Sequence, residues 1–135
     1  MDELPVRGKL PYPPSINRYW KTSRRKKLNP LTGRMCTIKV VVREANVVQY
    51  ANDCFYLIKQ QRIKPIDADK LRVELYIYPP DEKRRDVDNV CKAVLDALQH
   101  AGVYTDDFKV WQLYVERRGV RLHGEVEFVI TRVKE

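Results

Sequence analysis

Two aspartates one residue apart, Asp86 and Asp88, sit in the segment Asp81-Glu82-Lys83-Arg84-Arg85-Asp86-Val87-Asp88-Asn89. On an extended or turning backbone, carboxylates two residues apart project to the same side. Such a pair suits Mg2+, a hard cation that takes oxygen ligands in an octahedron and keeps positions for water and phosphate. A second acidic pair, Asp106-Asp107, follows some twenty positions later. Lys92 lies four residues after Asp88. On a helix that spacing makes either a salt bridge or an ammonium placed to stabilise charge on a phosphate. Singly, each feature has a structural role: an Asp caps a helix, and an Asp-Asp pair sits in a solvated turn. Together the four acids are harder to dismiss, because a basic, polyanion-facing surface is a costly place to gather negative charge. A cation between them relieves that repulsion.

These residues need elements to position them. From Asp88 to Ala101 the apolar residues Val90, Val94, Ala97 and Ala101, flanked by Cys91, Leu95 and Leu98, form one stripe of a helix, with Gly102 placed to end it. Before it, Leu71, Val73, Leu75 and Ile77 alternate with Arg72, Glu74, Tyr76 and Tyr78, the period of a half-buried strand that Pro79-Pro80 stops. A helix of about 14 residues is roughly 20 Å long. Asp106 and Asp107 therefore leave from its far end. The expectation is that the next strand, starting near Phe108, lies beside the Leu71 to Tyr78 strand and brings its start back to Asp86 and Asp88.

A short first strand is predicted around Lys9 to Tyr12. Two later strands carry Trp111, Leu113 and Val115, and Val126, Phe128 and Ile130. Cys36 to Arg62 predicts a helix from the three- and four-residue steps of Val41, Ala45, Val48, Ala51, Phe55 and Ile58, although Ile38 to Val42 would suit a strand equally well. Asn17 to Arg34 shows no apolar period and reads as a mobile basic loop, with Tyr19 and Trp20 available for packing or base stacking. The predicted fold class is α+β: a single domain with a mixed β-sheet and two main helices.

The 135 residues suit one domain, and 44% hydrophobic with 33% charged residues argues against both a membrane protein and a disordered chain. No run approaches the roughly 18 apolar residues of a membrane span. The opening Met1-Asp2-Glu3-Leu4-Pro5 lacks the order of a signal peptide, so a cytoplasmic location and no membrane partner are expected. Cys36, Cys54 and Cys91 are odd in number and widely spaced, and His100 and His123 stand far apart, so neither a disulfide framework nor a zinc site is indicated. Net charge is +8, and its position matters more than its size. Met1 to Arg43 holds 11 Lys/Arg against 2 Asp/Glu, whereas Glu44 to Glu135 holds 15 against 16. Such a concentrated excess suits a polyanion that releases counterions when bound. Candidate DNA contacts are Arg18, Lys21, Arg24, Arg25, Lys26 and Lys27, with Lys83, Arg84 and Arg85 beside the acids.

With those residues in view, the chain resembles the RusA family of Holliday junction resolvases. Pro13-Pro14-Ser15-Ile16-Asn17-Arg18-Tyr19 looks like the family's N-terminal signature. Arg84-Arg85-Asp86-Val87-Asp88-Asn89 with Lys92 looks like its central core, which Ala93 to Gly102 and Asp106-Asp107 continue in order. The resemblance implies an endonuclease dependent on Mg2+, with Mn2+ able to substitute and no organic cofactor. It also implies a homodimer that resolves four-way DNA junctions by paired symmetric nicks. Carried over by position, Asp86, Asp88 and Asp107 would bind the metal, Asp106 would be an auxiliary acid, and Lys92 a further active-site residue, with Asn89 part of the core motif. The basic Lys21 to Lys27 run, the extension before Lys9 and the first helix depart from the family pattern. A nucleic-acid-binding relative without catalysis is the alternative. Nucleases whose acids precede a Glu-x-Lys are disfavoured, because no Glu-x-Lys occurs here.

Overall fold

Strand β4 (Leu71–Tyr78) is the spine of the structure, with Leu71, Val73 and Leu75 fully shielded from solvent on the face that the sequence alternation marks as apolar. The computed structural model describes residues 5–14, 20–43 and 45–134. Around β4 stand β1 (Val6–Leu10), β5 (Val110–Arg117) and β6 (Glu125–Arg132), in the sheet order β1-β6-β4-β5. The pairs β1–β6 and β6–β4 are antiparallel, and β4–β5 is parallel. A parallel pair needs a long crossover, and α2 (Val87–His100) supplies it. Helix α1 (Ala45–Gln60) packs against α2. Val47, Tyr50, Cys54 and Ile58 of α1, and Val90, Val94, Ala97 and Leu98 of α2, are buried. Most of these join Val73, Leu75, Phe128 and Ile130 of the sheet in one core. This is the α+β class expected, with two helices and a mixed sheet.

The edge strand β1 is held from α1. The Gln61 side-chain amide donates to the Lys9 carbonyl (2.8 Å) and accepts from the Lys9 N–H (2.9 Å), and the Tyr50 hydroxyl donates to the Pro11 carbonyl (2.6 Å). Gly8 in β1 lies so close to Phe128 and Ile63 that an added Cβ would come within 2.5 Å and 2.7 Å of their side chains.

Three expectations are corrected. The basic segment is not a loop, for β2 (Trp20–Leu28) and β3 (Met35–Arg43) form a separate two-stranded antiparallel ribbon. Its turn is closed by the Asn29 carboxamide, which accepts from the Leu31 N–H (3.0 Å), and by Gly33 at φ +69°. The helix predicted from Cys36 begins only at Ala45, and Val41 belongs to β3. Here the β preference of Ile38 to Val42 prevails. The β2 segment had no apolar period to display because such periodicity reports burial, and Arg24 to Leu28 are exposed.

Finally, β5 does neighbour β4, but in parallel, with Val110 opposite Leu71 and Arg117 opposite Ile77. The start of β5 therefore lies by the start of β4, and it is the end of β5 that returns toward Asp86. A bulge at Leu71/Arg72 leaves Trp111 as the extra residue. Trp111 is exposed and takes the Lys70 ammonium 4.7 Å from its ring centre.

Candidate active site

The loop from β4 into α2 is organised by Asp81. Its carboxylate accepts from the Lys83 N–H (2.9 Å) and from both Nη atoms of Arg85, with Nη2 to Oδ2 at 3.0 Å. The Arg85 hydrogen bond, followed by that of the Lys83 amide, lowers the Asp81 carboxyl to about 2. Arg85 also stands 5.7 Å from the ring centre of Tyr12, so this guanidinium is engaged in shaping the loop. Asp86 follows in the N-cap position of α2 with an extended backbone (φ −86°, ψ 128°), yet its side chain makes no capping hydrogen bond. The purely structural role available to an Asp at this position is thus unused. Asp86 opens instead onto a small cleft lined by Tyr12, Arg85 and Arg117.

One residue on, Asp88 lies in the first turn of α2, where the helix dipole favours a negative charge. It faces a different space, a groove of about 640 Å³ between α2 and β5. Val87, Cys91 and Leu95 of α2 and Leu113 and Val115 of β5 give this groove apolar walls. Its polar lining is Asp88, Lys92, Asp96 and Asp107. Asp88, Lys92 and Asp96 recur at four-residue steps, so they share one helix face with about 6 Å of rise between successive members.

Asp107 enters the groove from the 3-10 turn Asp107–Lys109 that precedes β5. That turn is built locally, since Asp106 accepts from the Phe108 N–H (3.1 Å) and the Asp107 N–H donates to the Gln99 side chain of α2 (3.0 Å). Asp106 therefore acts as the cap of the turn. The Asp107 carboxyl shares the groove lining with Asp96, and the nearby Tyr104 hydroxyl donates to the Leu95 carbonyl (2.9 Å). Its Oδ1 is buried with no hydrogen-bond partner among the described residues. Burial, and then the charge of Asp106, push the Asp107 carboxyl above the usual carboxylate range, with the Tyr104 and Asp96 hydrogen bonds opposing. Asp96 is raised as well, first by burial and then by the facing Asp107.

Asp88 and Asp107 thus share one groove with Lys92, and Asp86 lies on the far side of Val87, which lines both spaces. Among the described residues no three Asp, Glu, His or Cys side chains close on a single point tightly enough to cage a metal ion. Carboxylate oxygens, one of them buried and unpaired, are nevertheless the donor chemistry that Mg2+ takes, and Mg2+ needs only one or two of them. Lys83, Arg84 and Asn89 are exposed around the start of α2, and Arg24, Arg25, Lys26 and Lys27 are exposed on β2. Lys21 lies in β2, while Arg18 and Tyr19 fall outside the described residues. Asp96 also lines the groove; sequence reasoning gave it no role, although it lies within the Ala93 to Gly102 stretch. The available signal was its four-residue step from Lys92.

Residues 11–131 match the family model for endodeoxyribonuclease RusA. The chain belongs to the RusA family. Within that family it is 32% identical over 124 residues to the crossover junction endodeoxyribonuclease RusA of Escherichia coli (strain K12), covering 92% of each chain. It is 32% identical over 115 residues to the crossover junction endodeoxyribonuclease rusA of Enterobacteria phage HK97, covering 85% of this chain and 83% of the relative. With the corresponding protein of Enterobacteria phage 82 it shares 30% over 124 residues. The RusA match spans β2 to β6, and so includes both the basic ribbon and every acid of the groove.

Proposed function

We propose that this chain is a crossover junction endodeoxyribonuclease that hydrolyses phosphodiester bonds of four-way DNA with Mg2+, for which Mn2+ can substitute. The observation that carries this reading is RusA-family similarity across nearly the whole chain, with Asp88, Lys92 and Asp107 of the family core lining one groove. Asp86, Asp88 and Asp107 are the proposed metal-binding carboxylates. A divalent cation bound there supplies Lewis acidity toward the phosphate and lowers the pKa of a bound water. The chain's own residues do the rest. Lys92 projects from the same helix face as Asp88 and presents an ammonium to charge developing on the phosphate.

The Asp81–Arg85 pair holds the loop that delivers Asp86. The exposed cations of β2 engage backbone phosphates, which supply affinity without base specificity. One groove per chain makes one cut, so two symmetric nicks call for a homodimer whose twofold axis matches that of the junction. No described helix is long and apolar enough to cross a membrane. A cytoplasmic site of action, where the DNA is, completes the proposal.

The deciding experiment compares wild type and Asp88→Asn on four-way and linear duplex DNA, with and without Mg2+. Wild type should nick the junction in opposed strands only with the cation, and the variant should bind the junction equally well while cutting at least a hundredfold more slowly. A wild-type protein that binds the junction and leaves it intact with Mg2+ would instead be a binding module.

A further inference from the structure

The ribbon of β2 and β3 ends in apolar side chains that stand in solvent. Between Trp20 and Arg43 the sequence has eight Lys or Arg and no Asp or Glu, so every charge the ribbon carries is positive. At its tip the composition changes. Leu28, Pro30, Leu31 and Met35 are all exposed, Leu31 to 94%. A single exposed leucine is ordinary on a protein surface, whereas several gathered at one end of a charged element mark a contact site. Leu28 and Met35 form the last cross-strand pair of the ladder, and hydrogen bonds fix the turn between them. The Asn29 N–H donates to the Arg34 carbonyl (2.8 Å), and the Gly33 N–H donates to the Asn29 carbonyl (2.8 Å). The Leu31 N–H donates to the Asn29 carboxamide (3.0 Å), and the Arg34 N–H to the Thr32 hydroxyl (3.3 Å). Leu31 is thus presented on an ordered turn before any partner arrives, which lowers the entropy lost on binding.

The charge around the tip selects the occupant. Arg24, Arg25, Lys26, Lys27 and Arg34 are exposed in the same ribbon, an array that suits phosphates. In a nucleic acid the apolar surface behind the phosphates is the faces of the bases. Leu, Met and Pro are among the side chains that DNA-bending proteins insert between base steps. In continuous duplex those faces are stacked and costly to part. At the branch point of a four-way junction stacking is interrupted, and the cost is least. We propose that Leu31, with Leu28, Pro30 and Met35, is an apolar wedge that inserts between bases at the branch point while the basic strands grip the phosphates. Phosphate contacts carry little information by themselves, so a group that reads stacking adds a preference for junction over duplex. The proposal rests on the reading of the chain as acting on four-way DNA, but it requires neither a metal nor a cut.

The test places 2-aminopurine, whose fluorescence rises on unstacking, at the branch point of a junction or in the middle of a linear duplex. The full chain is added without divalent cation, as wild type, Leu31→Asn and Leu31→Met. Wild type and Leu31→Met should raise the branch-point signal and leave the duplex signal unchanged. Leu31→Asn should give less than a third of that rise and bind the junction about tenfold more weakly, the lower end of what burial of one leucine contributes. Its affinity for duplex, and the salt dependence of that affinity, should match wild type, because every cation is retained. An equal rise with Leu31→Asn, or wild type that binds the junction without any rise, would overturn the wedge. So would a salt dependence lost in both variants, which would make Leu31 part of the ribbon's architecture. Weaker binding of Leu31→Asn to phosphatidylserine vesicles, or its failure to self-associate, with an unchanged junction signal would assign the tip to a membrane or to a second copy instead. A chain that opens the branch point and never cuts with Mg2+ keeps the wedge and loses the nuclease reading; one that cuts without opening it does the reverse.

Discussion

Among single residues, the cysteines show how position in the fold sets chemistry. Cys54 is fully buried in α1, and burial pushes its thiol up to about 12. Cys91 is buried on α2 and is also raised, first by burial and then by the charge of Asp88. Cys36, on the ribbon, is exposed. The thiolate is the reacting species, so alkylation of the native protein at pH 8 should label Cys36 rapidly and the other two only after unfolding. Mass spectrometry of the labelled peptides checks this, and fast labelling of Cys54 would contradict the packing of α1. The sign of the pH effect follows. A folded thiol ionising near 12, against about 8.5 when unfolded, contributes stability that is present below pH 8.5 and lost as pH rises toward 12.

At the scale of elements, the proposed function divides the work between the ribbon, which would hold DNA, and α2, which would carry the chemistry. Nine-residue strands pair Arg24 with Lys39 and Lys26 with Thr37, whereas Arg25 and Lys27 pair with Ile38 and Cys36. Strand geometry therefore separates the four exposed cations by face. The face of Arg24 and Lys26 carries the greater density of basic positions, and it should be the one against the phosphates. Each lost phosphate contact flattens the logarithmic salt dependence of duplex binding by about 0.9. Arg24→Ala with Lys26→Ala should reduce that slope by about 2, and Arg25→Ala with Lys27→Ala by clearly less, while both leave Mn2+ binding intact. Equal effects of the two pairs would mean that the ribbon is gripped on both faces.

For the whole molecule, the proposed resolution of a four-way junction needs two coordinated cuts, and the described residues of the chain form one groove lined by Asp88, Lys92 and Asp107. Sedimentation of the junction complex should therefore show two copies of the 16.0 kDa chain per DNA, and mixing active with Asp88→Asn protein should yield singly nicked junctions. A cutting complex with one chain per junction would remove the symmetry argument. Chain topology also explains the form of the groove. Because β5 returns parallel to β4, α2 must run the length of the sheet between them, and the acids at its two ends face one long groove.

The linear order of residues determined the character of the elements that bury a face and the chemical type of the site. Alternation in Leu71 to Tyr78 and the stripe from Val90 to Ala101 were visible because each buried face leaves its period in the chain. Charge density at the N-terminal end and the Asp86, Asp88 and Asp107 pattern were equally local. Tertiary structure alone decided what depends on a partner distant in the chain. It made a ribbon of a segment with no apolar period, and it turned β5 parallel to β4. It also brought Asp107, from the turn before β5, into the groove that Asp88, Lys92 and Asp96 of α2 line. Strand direction and pairing are properties of two segments together, and periodicity within either one cannot encode them.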